Sequence, residues 1–256
     1  MQDKRSGGRT VATLRTTCDV LDSLVKTNGG TVTEIADHAG LAKSTVHAHL
    51  KTLRANDYVV KDDNHYDVGL GFLDLGLHAR NRIEGISLIR QKAEILAEET
   101  GELVVFITEE NGLGVVLLRE RGVNAVESGV RTGNRVPLHA TAAGKAVIAH
   151  WPKERVAATL EQQGLPEQTE RTITDKGRLY EELDQVQEQG YAVSSEEHTE
   201  GLETFSAPIV GTGDTIIGGL SVSGPTNRMQ NTEYREELVG QLLGATNELE
   251  LKIRYS

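Results

Sequence analysis

The first 56 residues place apolar side chains at the three- and four-residue steps that amphipathic helices require. This spacing predicts a first helix over residues 11–26, which Asn28-Gly29-Gly30 ends because Gly and Asn accept the left-handed conformation. A second helix is predicted to begin near Thr33, with its cap at that Thr, and Gly40 supplies the turn after it. The predicted buried side chains are Val11, Leu14, Cys18, Leu21 and Val25 in the first helix and Ile35, Ala36 and Ala39 in the second.

A third helix, predicted over residues 42–56, carries two different faces. At 100° per residue, Ala42, Val46, Leu50 and Leu53 fall on one apolar stripe, and a separate face is polar. Two strand-like segments follow, residues 58–60 and 66–68, with a polar tip between them. This order of elements is typical of a winged helix-turn-helix, in which the second helix of the motif enters a DNA major groove.

The outer face of the third helix carries groups that suit duplex DNA. Hydroxyl, imidazole and ammonium groups can hydrogen-bond base edges, and a methyl group can pack on thymine. Neighbouring side chains can hold phosphates, and a basic arm can enter the minor groove. The alternative is an ordinary solvated helix face. The predicted DNA contacts are Ser44, His47, Ala48 and Lys51 for bases, Lys43 and Thr45 for phosphates, and Arg5 and Arg9 for the minor groove.

After the predicted wing, the pattern indicates a linker helix over residues 71–84 and an α+β domain over residues 85–256. Asn111-Gly112 predicts a tight hairpin between two strands, and further strand material is expected near residues 123–130. The remaining predicted helices cover residues 87–100, 141–151, 154–163, 174–189 and 232–253, and the remaining strands cover residues 191–193, 204–210 and 215–221. We therefore predict a DNA-binding domain over residues 1–70, the linker helix, and a ligand-binding domain over residues 85–256.

The net charge of −11 opposes contact with nucleic acid only if it is spread evenly. It is not, because residues 1–69 sum to zero and the whole excess lies in the rest of the chain. Residues 1–55 carry a charge of +3, so the predicted DNA-binding part is free to meet phosphates. An acidic surface with more Arg than Lys also suggests the hypothesis of a high-salt cytoplasm.

Cysteine content and hydropathy indicate the compartment. The single Cys18 cannot form an internal disulfide, which favours a reducing cytoplasm. No apolar run reaches the roughly 20 residues that a membrane helix needs, and the polar amino terminus lacks the apolar centre of a signal peptide. We expect a cytoplasmic protein without a membrane partner.

Three stretches in order along the chain resemble the IclR-type transcriptional regulators. They are GLAKSTVHAHLKTLRANDYV at 40–59, PLHATAAGKAVIA at 137–149, and SEEHTEGLETFSAPI with GGLSVSGPTNRM at 195–229. The resemblance implies a winged helix-turn-helix joined by a linker helix to a GAF-like effector domain. It also implies a homodimer or homotetramer on a palindromic or pseudo-palindromic operator, controlled by a small metabolite such as an organic acid or a sugar derivative.

The same resemblance implies an effector pocket between the PLH–GKA segment and the strand that bears Ser221 and Ser223. Free amides at the start of the helix after Thr141 can receive an anionic oxygen. This sequence has Thr204 where the family often has Cys, Ser194 where many members have Asp, and Ala48 where Arg is frequent. The effector and the operator of a relative therefore cannot be assumed. The implied ligand-binding residues are Ala142, Ala143, Ser194, Thr204, Ser221 and Ser223.

Two motifs of catalytic or nucleotide-binding sites are present only in part. A phosphate-binding loop ending at Gly144-Lys145 would need Gly where His139 stands, and Ala146 replaces its Ser or Thr. A nucleophile elbow around Ser221 would need Gly where Ser223 stands. We expect no catalytic residues, no metal site and no cofactor. The alternatives are a metabolite-binding enzyme with an accessory DNA-binding domain, and a protein–protein adaptor. Repression and activation both stay open.

Overall fold

The computed structural model describes residues 10–255. It divides into two compact units, residues 1–82 and 83–256, each with its own hydrophobic core. Arg5 and Arg9, predicted for the minor groove, lie outside the described residues. Within the described part, no helix is long and apolar enough to cross a membrane.

The first unit is a winged helix-turn-helix, as predicted. A small core of apolar side chains from three helices is closed by an antiparallel two-stranded wing. The wing is joined to the turn after the first helix, since Gly30 and Tyr66 exchange two backbone hydrogen bonds of 2.8 and 2.9 Å. The elements are α1 (Ala12–Thr27), α2 (Val32–Ala39), α3 (Lys43–Ala55), β1 (Val59–Asp62), β2 (His65–Val68) and α4 (Gly71–Asn81).

The burial predicted for α1 is wrong except at Leu21, which is partly buried against the core. Leu14 is 64% exposed, Val25 is 66% exposed, and Cys18 is exposed too. Val11, also predicted to be buried, is 62% exposed just before the helix. The helix instead buries Val20 and Leu24. The predicted stripe has the same spacing as the buried one but lies about 100° away around the helix, and periodicity does not say which stripe meets the core.

The start of α2 also differs from the prediction. Its cap is Thr31 rather than Thr33, because Glu34 stands three residues after Thr31 and completes a capping box. The Thr31 hydroxyl accepts from the Glu34 backbone N–H at 3.3 Å, and a Glu34 carboxylate oxygen accepts from the Thr31 N–H at 2.7 Å. This reciprocal pair fixes where the helix-turn-helix begins.

The second unit is an α+β domain around a six-stranded antiparallel sheet with strand order β5-β4-β3-β8-β7-β6. The predicted hairpin is confirmed, since Asn111 and Gly112 both have positive φ between β3 and β4. Its helices are α5 (Ile86–Thr100), α6 (Ala142–Ile148), α7 (Lys153–Gln163), α8 (Lys176–Gln189), α9 (Thr226–Met229) and α10 (Thr232–Arg254). Its strands are β3 (Leu103–Glu110), β4 (Leu113–Arg121), β5 (Arg135–Pro137), β6 (Ala192–Ser195), β7 (Leu202–Val210) and β8 (Ile216–Pro225).

Both faces of this sheet are covered, which explains the uninterrupted apolar run in β3. Val104 and Phe106 point into a core shared with α5 and α10. Leu103, Val105 and Ile107 point the other way, towards α6 and α8. Alternate residues of one strand therefore build two separate cores.

The strand expected near residues 123–130 does not form. The structure has no strand between residues 122 and 134, and Val123 is 92% exposed. Gly129 and Gly133 both have positive φ, which interrupts an extended backbone. Pairing with β4 is made instead by the short strand β5.

Gly144 allows α6 to approach the backbone of Leu138. A Cβ atom at Gly144 would lie 2.2 Å from the Leu138 carbonyl oxygen. We expect Gly144→Ala to lower the free energy of unfolding of the second unit by about 1–3 kcal/mol, because overpacking shifts the backbone. Denaturant unfolding followed by the fluorescence of Trp151, the only Trp of the chain, measures this unit.

The matched control is Gly240→Ala on the exposed face of α10, where a Cβ atom would meet nothing within 4 Å. It should leave the unit unchanged or stabilise it by up to about 1 kcal/mol, since Ala is the better helix former. Equal effects of the two substitutions would contradict the role given to Gly144.

Candidate functional site

The two faces of α3 differ: the inner face is packed in the core, and the outer face carries exposed polar side chains. Val46, Leu50 and Leu53 are buried in the core of the first unit. Thr45 is half-buried and Ala42, predicted on the apolar stripe, is exposed as the residue before the helix. The predicted contact residues that are exposed are Lys43, Ser44, His47, Ala48 and Lys51. The structure thus places six predicted DNA contacts on one helix.

His49 has a different role from its neighbours, and its contact was not predicted. Its Nδ1 atom lies 2.9 Å from the hydroxyl oxygen of Thr17 on α1. That hydroxyl already donates to the carbonyl of Thr13 at 2.9 Å, so the imidazole must donate to it. His49 therefore holds α3 against α1 and fixes its rotation about its own axis.

The turn before α3 and the wing after it are also defined locally. Gly40 ends α2 with φ of 66°, a conformation that Gly adopts without strain. In the wing, the ammonium group of Lys61 lies 5.4 Å from the centre of the Tyr66 ring, while Asp62 and Asp63 stand at the exposed tip. A helix seated on a rigid core beside a hairpin is a geometry that can enter a groove and flank it.

A cavity in the second unit contains all six predicted ligand-binding residues in its lining. Those residues are Ala142 and Ala143 at the start of α6, Ser194 on β6, Thr204 on β7, and Ser221 and Ser223 on β8. The sheet order places β6, β7 and β8 side by side, so residues far apart in sequence meet under α6.

Other lining residues were not predicted. Leu103, Val105 and Ile107 form an apolar wall, because every second residue of β3 faces this side of the sheet. His198 and Thr199, from the loop between β6 and β7, line the cavity as well. The sequence contained a signal for them, since His198 lies within the SEEHTEG stretch that carries the family resemblance.

Most hydroxyl groups of the cavity already make hydrogen bonds. Ser194 donates to the carbonyl of Ala140 at 3.3 Å, and Ser221 donates to that of Val105 at 3.0 Å. The hydroxyl oxygens of Thr204 and Ser223 are 2.9 Å apart, and one of the two hydroxyl groups donates to the other. Thr141 caps α6, accepting from the Gly144 N–H at 3.1 Å. The cavity is therefore a preformed surface rather than a set of loose side chains.

A buried ion cluster joins three elements around the cavity. The Lys145 ammonium group on α6 is fully buried and donates to Glu197 at 2.7 Å and to Glu182 on α8 at 2.8 Å. The Glu197 carbonyl accepts from Thr172 at 2.7 Å, which holds the same loop from another side. Lys145 thus ties α6 and α8 to the loop that carries His198 and Thr199.

Burial governs the titration of this loop. Desolvation raises the pKa of the Glu197 carboxyl above its ordinary value, although Lys145 pulls it down. Desolvation also lowers the pKa of His198, whose ring lies half-buried at the cavity. His198 therefore presents a neutral imidazole at neutral pH.

Other His and Arg side chains of the second unit make structural contacts. His139 is buried, its Nε2 atom lies 3.2 Å from the carbonyl oxygen of Pro166, and burial lowers its pKa. Arg121 and Arg135 form surface ion pairs with Glu127 and Glu110. Among the described residues, no group of three or more His, Cys, Asp or Glu side chains could hold a metal ion.

Comparison with known proteins gives matches along most of the chain. The family model described as the IclR helix-turn-helix domain matches residues 13–63, and that of the bacterial transcriptional regulator IclR C-terminal matches residues 80–250. The probable HTH-type transcriptional regulator ArcR of Halobacterium salinarum is 28% identical over 96% of this chain and 95% of its own length. The HTH-type transcriptional repressor AllR of Escherichia coli K12 is 30% identical over 89% of this chain and 84% of its own length.

Solved structures agree with these matches. The crystal structure of the Thermotoga maritima IclR superimposes with a TM-score of 0.81 at 27% identity and covers 94% of this chain and 98% of that chain. The similarity therefore extends over both units.

The buried ion cluster leads to a stability prediction. Lys145→Met leaves the Glu197 carboxylate buried without its cation, so we expect the second unit to lose about 3–5 kcal/mol at neutral pH. Without Lys145 the pKa of Glu197 rises further, and the folded state then holds its proton more tightly than the unfolded state does. Stability of the variant should therefore fall as the pH rises above the ordinary pKa of Glu, and the deficit should shrink in acid.

Unfolding followed by Trp151 fluorescence at several pH values measures this deficit. Lys153→Met, at a side chain that is 78% exposed, is the control and should change stability by no more than about 0.5 kcal/mol. A deficit that is the same at every pH would contradict the burial of an unpaired Glu197.

Proposed function

The chain belongs to the IclR family of transcriptional regulators, and on that premise we propose that it binds operator DNA through α3 under the control of a small molecule. The outer face of α3 is the observation that supports this most directly. Its polar side chains are exposed, whereas the opposite face is fixed in a core and by the bond from His49 to Thr17. Rigid presentation of base-reading groups limits the entropy lost on binding.

We assign the predicted contacts as the sequence suggested. Ser44, His47 and Lys51 read base edges, and Ala48 packs on a thymine methyl group. Lys43 and Thr45 contact phosphates. Arg5 and Arg9 belong to this proposal from the sequence alone. The charge distribution supports it, since the acidic excess lies beyond residue 69.

A dimer is proposed because α4 exposes an apolar stripe. No residue of α4 is buried. Leu73 and Leu77 lie on one side of the helix and are 56% and 37% exposed, and Leu70, just before the helix, lies on the same side. A helix of eleven residues gains little stability alone and needs a partner for its apolar side. A second copy of the chain suits this stripe, because a palindromic operator requires two reading helices. The exposed Leu14 and Val25 on α1 offer further apolar surface to that copy.

Control by an effector is assigned to the cavity under α6. A ligand there changes operator affinity only if it binds two arrangements of the dimer with different affinities. The segment of residues 71–84 is the covalent route between the two units, and we assign transmission to it. We also propose that the protein acts in the cytoplasm and catalyses no reaction. The names of both relatives describe transcriptional regulators or repressors.

Substitution of base-contacting residues tests the assignment of α3. We expect Lys51→Ala and His47→Ala each to weaken binding to an operator, obtained by selection from random duplexes, by about 1–3 kcal/mol. Lys43→Ala should weaken specific and random DNA alike and reduce the salt dependence by about one phosphate contact. Fluorescence anisotropy at several salt concentrations measures both effects.

Lys176→Ala is the control for net charge, because this exposed Lys begins α8 in the other unit. This variant should bind the operator with an affinity within about twofold of the wild type, because salt screens the effect of a distant surface charge. Unchanged operator affinity in both the Lys51 and the His47 variants would refute the assignment of this face.

The dimer is tested on the two sides of α4. Leu73→Glu should raise the dissociation constant of self-association at least about tenfold, because burying a carboxylate costs more than 1.4 kcal/mol. Leu75→Glu is the matched control, since Leu75 is 51% exposed on the opposite side of the same helix. Sedimentation velocity measures both. Equal effects, or no effect of Leu73→Glu, would reject the stripe as the dimer contact.

A further inference from the structure

The chemistry of the cavity wall limits which ligands it can hold, and this inference rests on the effector role proposed above. Aliphatic side chains make up most of the wall, among them Leu103, Val105, Ile107, Val116, Val136 and Leu202. Such a wall favours an apolar ligand body, because contact with it removes apolar surface from water.

No formal charge lies in the lining. Among the described residues around the cavity, none is Lys, Arg, Asp or Glu. The nearest cation in sequence, Lys145, is fully buried and already pairs with Glu182 and Glu197. Because two carboxylates surround one ammonium group, this cluster adds negative rather than positive potential. A ligand with two carboxylates or a phosphate would lose water without gaining a cation.

Several hydroxyl groups of the lining cannot donate a hydrogen bond to a ligand. Ser194 and Ser221 have given their protons to backbone carbonyls, as has Thr141 to the carbonyl of Pro137 at 3.2 Å. Towards a ligand these three oxygens can only accept. The pair of Thr204 and Ser223 leaves one hydroxyl proton for a ligand, and Ser128, which accepts from the Val130 N–H at 3.4 Å, has another. A polyhydroxylated sugar would need far more partners, since each unpaired polar group is costly once buried.

His198 adds one further polar group to the lining. Its Nδ1 atom lies 3.0 Å from the Thr199 hydroxyl, so its other ring nitrogen is the one available to a ligand. Burial lowers its pKa, and the ring therefore adds a hydrogen-bonding group without a positive charge at neutral pH. Among the described residues of the lining it is the only titratable side chain.

We propose that the cavity selects a small, predominantly apolar molecule that is neutral or carries a single carboxylate, with its polar end at the Thr204–Ser223 pair and His198. Dicarboxylates, phosphate esters and sugar acids are disfavoured, because the described lining residues are mostly aliphatic and include no Lys or Arg to balance a second negative charge. This narrows the class of effector from organic acids and sugars in general to apolar monoacids and their neutral analogues.

Matched ligand series test the class on the full-length protein by isothermal titration calorimetry. The aromatic series is benzamide, benzoate, phenyl phosphate and benzene-1,4-dicarboxylate, and the aliphatic series is isovaleramide, isovalerate and succinate, with gluconate as the sugar acid. We expect the amide or monoacid of at least one series to bind, and a second carboxylate or a phosphate to weaken binding at least about tenfold. Tighter binding of a dianion or of gluconate would overturn the proposal, as would no binding by any amide or monoacid up to about 10 mM.

The polar end is tested by Ser223→Ala, which should weaken the best monoacid or amide about three- to tenfold, because one neutral hydrogen bond is lost. Ser87→Ala, at an exposed position on α5, is the matched control and should change nothing. Unaltered affinity in the Ser223 variant would reject the assigned polar end.

Operator binding measured on the same preparations separates the two proposals. Operator binding together with a preference for dianions would overturn the ligand class and leave the regulator role intact. Failure of the wild-type chain to bind any selected duplex would instead remove the regulator role, whatever the cavity binds.

Discussion

Burial of the Lys145 ammonium group is the constraint on which the second unit depends. A cation without water must keep its carboxylates close, so α6, α8 and the loop after β6 are held at fixed distances from one another. The charged groups of this cluster lie outside the cavity lining, whose described residues include no Lys, Arg, Asp or Glu.

In the first unit, a polar contact orients α3. The core of this unit is small, and a long interface between helices is not available to orient α3. The hydrogen bond from His49 to Thr17 supplies an angular restraint that apolar packing alone does not. A polar contact between α1 and α3 thus complements the apolar ones of Val46 and Leu50.

Sequence reasoning succeeded where one pattern had one meaning. The Asn111-Gly112 turn and the two faces of α3 follow from local chemistry, and the six predicted cavity residues were brought together by a family motif. It failed where two stripes of apolar residues on one helix had the same spacing. α1 has two apolar stripes, and only tertiary packing selects Val20 and Leu24. Lys145 was considered only as part of a failed phosphate loop, because sequence alone does not reveal that both partners lie across the fold.

The bond between His49 and Thr17 has an evolutionary consequence. It separates the side chains that hold α3 in place from those that face outward, so Ser44, His47 and Lys51 can be exchanged without disturbing the framework. Descendants of such a protein can acquire new target sites through a few surface substitutions, while the residues that hold the fold together stay the same. A division of this kind lets one scaffold diversify across many promoters at little cost to its integrity.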